Sequence, residues 1–599
     1  MTSQQQQQQP ASPPRPSHRR VPFPICEDDS LAPFNPAQLP SDHFLAQRPV
    51  TPPRPDSVID PVWVDGARPD TSSLAAADYD VSVHTGFLPP EEPVQSLRGA
   101  GCGWDALEDR LEEVEREAAV PGGAVGRLSE RWMRSVRELP HASVEPLTTL
   151  PLLRRAHVVL AHLTHFYMHG TFPSQTVVPA SLAVPLVEVS DRLGLPPILT
   201  YADTVLWVWR LTDQARGLRA DNVEITTTFT QTPSERAFFL LSLFCELHGP
   251  AILRLMSATL DEVFFADRTA LTRIARYLES IARLVDELTA LMAGATRGGF
   301  GPDQRERIVP EVFYWEIRPW FNGGKWTYEG VGPNGEGKEM EWGGPSAGQS
   351  SLVHALDLFL GVDHMPRAHG HPHGHGKGAR VAADKVEKAA FPGTFHDEHD
   401  KDTAAAVRAA AAADSSSSAA ASAAAKASAS LHKAPSDATF MQRMSHYMPG
   451  HHRAFLSHLE SLHSPNPAAP HAAPVLPSLR KLARRHPHEL GPAYDAAVGA
   501  MRRFRDAHMR LATVFIVQQA RREPARGSVH WAEWEARRVA KERAEEERRR
   551  LGEGAAERER EKVVGTGGTD LVSFLKRCRD RTVEALLGDD SDAQAQAQA

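Results

Sequence analysis

Near the C-terminal end of this 599-residue chain a histidine stands in the middle of an apolar stripe. Met501, Phe504, His508, Leu511 and Phe515 fall at i, i+3, i+7, i+10 and i+14, one side of a helix. A neutral imidazole there could serve as an axial ligand for haem iron, with the apolar surround holding a porphyrin and excluding water. The same spacing also suits a core histidine bonded to a carbonyl. Phe238 and Ser242 lie four apart on another apolar run, so they share a face and could supply an aromatic wall and a polar tip, or simple packing. Arg318, between Phe313-Tyr314-Trp315 and Trp320-Phe321, could grip a carboxylate bidentately or rest on an aromatic face. Ser346, Ala347 and Gly348 follow Gly343, Gly344 and Pro345, small residues that admit a flat ligand close to the backbone or cap a helix. No Ser-His-Asp or Cys-His arrangement stands out, and these groups include no general base.

Two other patterns are rejected. Residues 332–338 spell GxxxxGK, but Glu339 replaces the hydroxyl that should meet Mg²⁺, Glu336 sets a negative charge where phosphate would sit, and no apolar strand precedes. His396, Asp397, Glu398 and His399 resemble fragments of a facial iron triad, yet they sit in low-complexity sequence without the strands such a site needs. The run His369, His371, His373 and His375 reads as a solvated tract.

The elements that must position these side chains are helical. Apolar residues recur at helical spacing over 104–119 and 150–168, and Ile198, Tyr201, Val205 and Val208 mark a further face. Thr232, Pro233 and Glu235 predict a capped helix start with a capping box, and helices over 238–255 and 261–292. Residues 299–348 read as a long ordered irregular stretch, followed by helices over 349–360, 492–519 and 521–562 and a last one to about 587. The expected fold class is all-α with two helical domains: a disordered Pro/Gln-rich tail (1–55), a small helical domain (56–225), and a larger C-terminal helical bundle (226–590). A disordered low-complexity insertion (364–437) and a charged helical one (521–562) interrupt the bundle, and 591–599 is a second disordered tail.

Composition limits the function. Hydrophobic residues make up 41%, enough for a sizeable core. A net charge of -8 argues against nucleic-acid binding. Cys26, Cys102, Cys245 and Cys578 are too scattered for a zinc ribbon or covalent haem attachment and fit a reducing compartment. The first residues lack an apolar signal core, and no apolar run is expected to approach the ~18 residues of a membrane span. A soluble cytoplasmic protein without membrane association is expected.

Six segments, in order, resemble the indoleamine 2,3-dioxygenase family, in its fungal form: LPPILTYADT (195–204), RAFFLLS (236–242), GPSAGQSS (344–351), YMPGHHRAFL (447–456), FRDAHM (504–509) and GTGGTDLVSFLK (565–576). The resemblance spans roughly 80–362 and 440–590. It implies a haem b dioxygenase that adds both atoms of O₂ across the indole C2=C3 bond of L-tryptophan to give N-formylkynurenine, the first step of the kynurenine pathway toward NAD synthesis. It makes His508 the proximal iron ligand, with Asp357 and Arg505 a polar pair beside it. Tyr201, Thr204 and Val205 would line the inner pocket, where the family often has cysteine at the position of Thr204. Phe238, Ser242 and Phe313 would surround the indole, Arg318 would pair with the substrate carboxylate, Ser346 and Ala347 would border the distal face, and Thr566 would belong to a closing loop. Pro345 and the Pro-Trp-Phe following Arg318 depart from the animal pattern. A monomer is expected. The alternative is a haem-binding paralogue with low tryptophan affinity, or a sensor.

Overall fold

The computed structural model describes residues 74–82, 84–101, 103–119, 128–364, 440–463, 474–524, 529–550 and 571–588. The N-terminal and C-terminal tails, nearly all of the 364–437 insertion, residues 525–528 and 551–562 of the charged insertion, and Thr566 lie outside them.

The described chain is mostly helical. Its helices run α1 Trp104–Ala118, α2 Glu130–Arg137, α3 Leu150–His169, α4 Ala180–Leu193, α5 Pro233–Glu246, α6 Gly249–Phe265, α7 Arg268–Arg297, α8 Pro310–Val312, α9 Ser351–Leu360, α10 Phe440–Ser445, α11 Gly450–Ser461, α12 Leu479–Arg485, α13 Pro487–Ala512, α14 Val529–Arg550 and α15 Leu571–Val583. Every residue from Leu153 to Met168 of α3 is buried, which makes it a central helix apolar on nearly all sides. Short strands complete the fold. β1 Val177–Val178 pairs in parallel with β4 Gly324–Tyr328, which pairs antiparallel with β5 Lys338–Trp342 in the register Trp326 to Met340. β2 Trp209–Leu211 and β3 Val223–Ile225 form a separate antiparallel pair.

Tertiary contacts redraw several expected boundaries. The run Pro233–Phe265 contains an 18-residue window with a mean hydropathy of 1.4, long and apolar enough by composition to cross a membrane, yet it is two helices broken at Leu247–His248. The residues expected in one helix over 261–292 are likewise divided, because α6 ends with Ala266 in the left-handed region and Asp267 caps α7 through Ala270 N at 2.7 Å. The stretch 299–348 holds the β4–β5 hairpin rather than irregular chain alone. A short strand, β4 (Gly-Lys-Trp-Thr-Tyr), precedes GxxxxGK, but it is not the apolar strand a phosphate loop follows, and the motif is the turn of that hairpin and leads into another strand, with Gly332, Gly335 and Gly337 at positive φ. Phosphate loops lead into helices instead.

The buried apolar residues form two large cores. One surrounds α3 and takes in α1, α4, β4 and most of α5. The other is built by α6, α7, α9, α11, α12 and α13. α13 bridges them: Met501, Phe504 and Ala507 belong to the second core, Phe515 just beyond the helix belongs to the first, and Leu511 packs against both. His508 therefore lies on the stretch where one core gives way to the other.

Candidate active site between the two cores

Three π-helical turns lie among the described residues: Ala202–Leu206, Phe313–Ile317 and Thr513–Val517. Each carries side chains of the candidate site, in keeping with the concentration of such widened turns at functional sites. The first corrects the simple helical face expected for Ile198, Tyr201, Val205 and Val208: Ile198 precedes the helical turns, which begin at Tyr201 and widen at once, and Val208 stands at the edge of a strand. It holds Thr204 and Val205 buried. The second presents Phe313, and the third presents Phe515, whose ring centroid is 5.8 Å from that of Phe313.

Phe238 joins this group from α5. Its ring lies 4.7 Å from Phe313 and 6.0 Å from Phe321. Half-buried Ser242, one turn on, makes no side-chain hydrogen bond among the described residues. Arg318 follows directly on the second π-turn, with its guanidinium over the Tyr314 ring at 5.5 Å; burial lowers its affinity for its proton. The cation–π contact thus forms, and it leaves Arg318 at the rim of the aromatic group.

The segment ahead of α9 is fixed by glycine. A Cβ on Gly344 would stand 1.7 Å from the Phe321 carbonyl oxygen, and one on Gly323 2.0 Å from that of Trp342, so two backbones cross where no side chain fits. Ser346 then caps a short turn, its Oγ accepting from Gly348 N at 3.2 Å; Ala347 is exposed. Gln349 Oε1 accepts from Tyr201 N at 2.8 Å, which ties this segment to the first π-turn.

His508 is half-buried and makes no hydrogen bond among the described residues. Burial, and secondarily the positive charge of Arg505 one turn earlier, lower its pKa to about 4. The imidazole is therefore neutral and uncommitted, the state an iron ligand requires. Arg505 donates to both oxygens of Asp357, at 2.7 and 2.5 Å, and also to Thr582 on α15. His364 Nε2 adds a bond to Asp357 at 2.9 Å. Burial alone would raise the Asp357 carboxyl; the Arg505 charge and these hydrogen bonds hold it well below the usual carboxylate range. Among the described residues, a neutral imidazole without a partner, an unbonded Ser242 hydroxyl and a compact aromatic group drawn from α5 and two of the widened turns fit a flat iron-bearing macrocycle and an aromatic ligand.

Several residues of the site carried no signal in the sequence. His165 joins two pocket walls: Nδ1 donates to the Trp320 carbonyl at 2.7 Å, and Nε2 accepts from Leu199 N at 3.3 Å. A Ser-His-Asp arrangement does exist, in Ser190, His157 and Asp203, with separations of 3.1 and 2.6 Å. All three are buried, so the hydroxyl meets no substrate. Asp203 Oδ2 instead accepts from Thr200 N and Oγ1, both at 2.8 Å, and braces the turn bearing Thr204. Glu246 was also missed, although it extends the four-residue spacing of Phe238 and Ser242.

Comparison with known proteins agrees with this geometry. The family model described as indoleamine 2,3-dioxygenase matches residues 75–585. The chain is 27% identical to indoleamine 2,3-dioxygenase of Saccharomyces cerevisiae, over 84% of this chain and 92% of the yeast protein. It is 26% identical to indoleamine 2,3-dioxygenase 1 of Rattus norvegicus, over 85% and 95% respectively. A Fusarium equiseti protein named 6-hydroxytryptophan 2,3-dioxygenase is 24% identical over 85% and 97%. With the match running from the first described turn to the last helix and taking in the uncommitted His508, the chain belongs to the indoleamine 2,3-dioxygenase family and is an oxidoreductase of the dioxygenase type.

Proposed function

We propose that this protein binds haem b through His508 and opens the indole ring of L-tryptophan with O₂, giving N-formylkynurenine at the head of a kynurenine route toward NAD. The observation that carries the reading is the neutral His508 imidazole, uncommitted within the described protein and beside the Arg505–Asp357 pair. When bound, the haem iron supplies the activation of dioxygen that places both oxygen atoms on C2 and C3. The chain's own residues do the rest. Phe238 and Phe313 form aromatic walls for the indole, with Thr204 and Val205 at the inner end. Arg318 turns from Tyr314 to the substrate carboxylate. Ser346 and Ala347 border the distal side of the pocket. Addition of oxygen to the indole ring requires no prior removal of a proton by a side chain, consistent with the absence of an exposed acid–base pair in this group.

The test is an absorption spectrum of the purified protein supplied with haem, ferric and dithionite-reduced, with and without tryptophan, together with N-formylkynurenine formation at several tryptophan concentrations. A Soret band that shifts with tryptophan and saturable product formation are expected. A normal haem spectrum without turnover at high tryptophan would favour the low-affinity paralogue. The Thr204 hydroxyl, 3.4 Å from the Thr200 carbonyl, makes the inner pocket more polar than a thiol would, so 6-hydroxytryptophan is included as a competing substrate.

A further inference from the structure

Glu246 closes α5 one turn beyond Ser242 and two beyond Phe238, on the side of the helix they share. It is almost completely buried. Its Oε1 accepts two hydroxyl protons, from Tyr201 at 2.9 Å and from Ser350 at 2.7 Å. Its Oε2 is buried and has no hydrogen-bond partner among the described residues. Three pocket-bearing elements thus meet on one carboxyl group: the first π-turn through Tyr201, α5 itself, and the segment before α9 through Ser350. The adjacent Gln349 makes a second tie to Tyr201, so the junction is doubly fastened.

The chemistry of this junction depends on a proton. The titratable groups that act on Glu246 or feel it are the Tyr201 phenol and the neighbouring Cys245 thiol, neither of them positive. Among the described residues, no Lys, Arg or His acts on it from α7, from the π-turns or from the segment before α9. A buried carboxylate without a cation costs several kcal/mol. The carbonyl oxygen of a neutral carboxylic acid, by contrast, accepts two hydroxyl donors without that penalty.

We propose that Glu246 is a positioning residue of the substrate pocket that works as an uncharged carboxylic acid, fastening Tyr201 and Ser350 through Oε1 while Oε2 keeps the proton. The inference rests on the dioxygenase reading given above. Burial raises the Glu246 pKa to about 7, with the two hydroxyl donors opposing the rise, so the proton is lost within the range in which enzymes operate. Once it is lost, the buried charge draws water or pushes its neighbours apart, and the walls carrying Tyr201 and Ser350 separate. His508 stands on a different helix and keeps its geometry.

The experiment compares wild type, Glu246→Gln and Glu246→Ala as full-length, haem-loaded protein between pH 6 and 8.5. KM and kcat for tryptophan are measured, and thermal unfolding is followed without tryptophan. In wild type, KM rises roughly tenfold for each pH unit above about 7, as the competent form is depleted, while kcat changes little. Glu246→Gln keeps an acceptor for both hydroxyls, and its KM is flat with pH. Glu246→Ala has a raised KM throughout. Independently, wild type loses thermal stability relative to Glu246→Gln as pH rises from 6 to 8. Equal pH slopes of unfolding in wild type and Glu246→Gln would overturn the uncharged carboxyl. Equal KM in all three proteins would overturn its positioning role. If wild type shows neither a haem spectrum nor turnover, the dioxygenase reading fails, and the unfolding comparison alone still decides the protonation state.

Discussion

The guanidinium of Arg505 on α13 spans to the carboxylate of Asp357 on α9, contacting both of its oxygens, one helical turn from His508. Both partners are buried, so neither can be removed without leaving the other charged and unsolvated. Arg505→Ala or Asp357→Asn is expected to lower unfolding free energy by about 3–5 kcal/mol, measured by urea denaturation. The folded-state pKa of Asp357 lies below its unfolded value. Its contribution is therefore complete above the unfolded carboxylate pKa and is lost as pH falls through the folded one. Wild type should lose this increment below about pH 4, the ordinary Asp value, and Asp357→Asn should not.

His508→Ala should remove stable haem binding while leaving far-ultraviolet circular dichroism unchanged, since no hydrogen bond among the described residues depends on the ring. A mutant that retains a normal ferrous spectrum and turnover would sink the ligand assignment.

Arg318→Ala should weaken tryptophan binding by about 2–5 kcal/mol, the range for losing one partner of a buried charged pair. Steady-state KM reads this directly, and an unchanged value would remove Arg318 from the substrate site.

α3 carries neutral buried histidines that resist protonation. Burial, followed by lesser effects, lowers His162 to about 4 and His165 well below its usual value. Both are protonated in the unfolded chain below the ordinary histidine pKa of about 6.5. The unfolded state therefore binds more protons there, and stability falls as pH drops from that value toward 4. Each histidine contributes about 1.4 kcal/mol per pH unit in this window. Replacing His162 with Gln should reduce the slope by one such increment in denaturation series collected between pH 6.5 and 4.5.

The sequence is most legible where a single local rule governs. Thr232 caps α5 by accepting from Glu235 N at 3.2 Å, as its position predicts. The reciprocal half of that box does not form: the Glu235 carboxylate turns instead to Phe229 N at 2.9 Å and Thr230 N at 2.6 Å. That choice belongs to a loop whose path local spacing does not reveal. The π-turns were illegible for a similar reason, because apolar spacing around Tyr201 and Val205 fits an ordinary helix until the tertiary partners of Tyr201 are known. His165 and Glu246 were hidden because their partners lie far away in sequence, at Trp320, Leu199, Tyr201 and Ser350. His508, Phe238 and Ser242 could be singled out because each combines chemistry with helical spacing, although the spacing alone left core packing open.

The widened turn Thr513–Val517 has a mechanical corollary. Deleting one residue within it would let the chain rewind as a regular helix, and the side chains beyond it would keep nearly their present facing relative to His508, because the widened turn holds one residue more than a regular turn. What would be lost is the local widening that sets the Phe515 ring 5.8 Å from that of Phe313. The stretch is thus a one-residue insert that pushes Phe515 toward the site while leaving the register of the chain on either side of it intact.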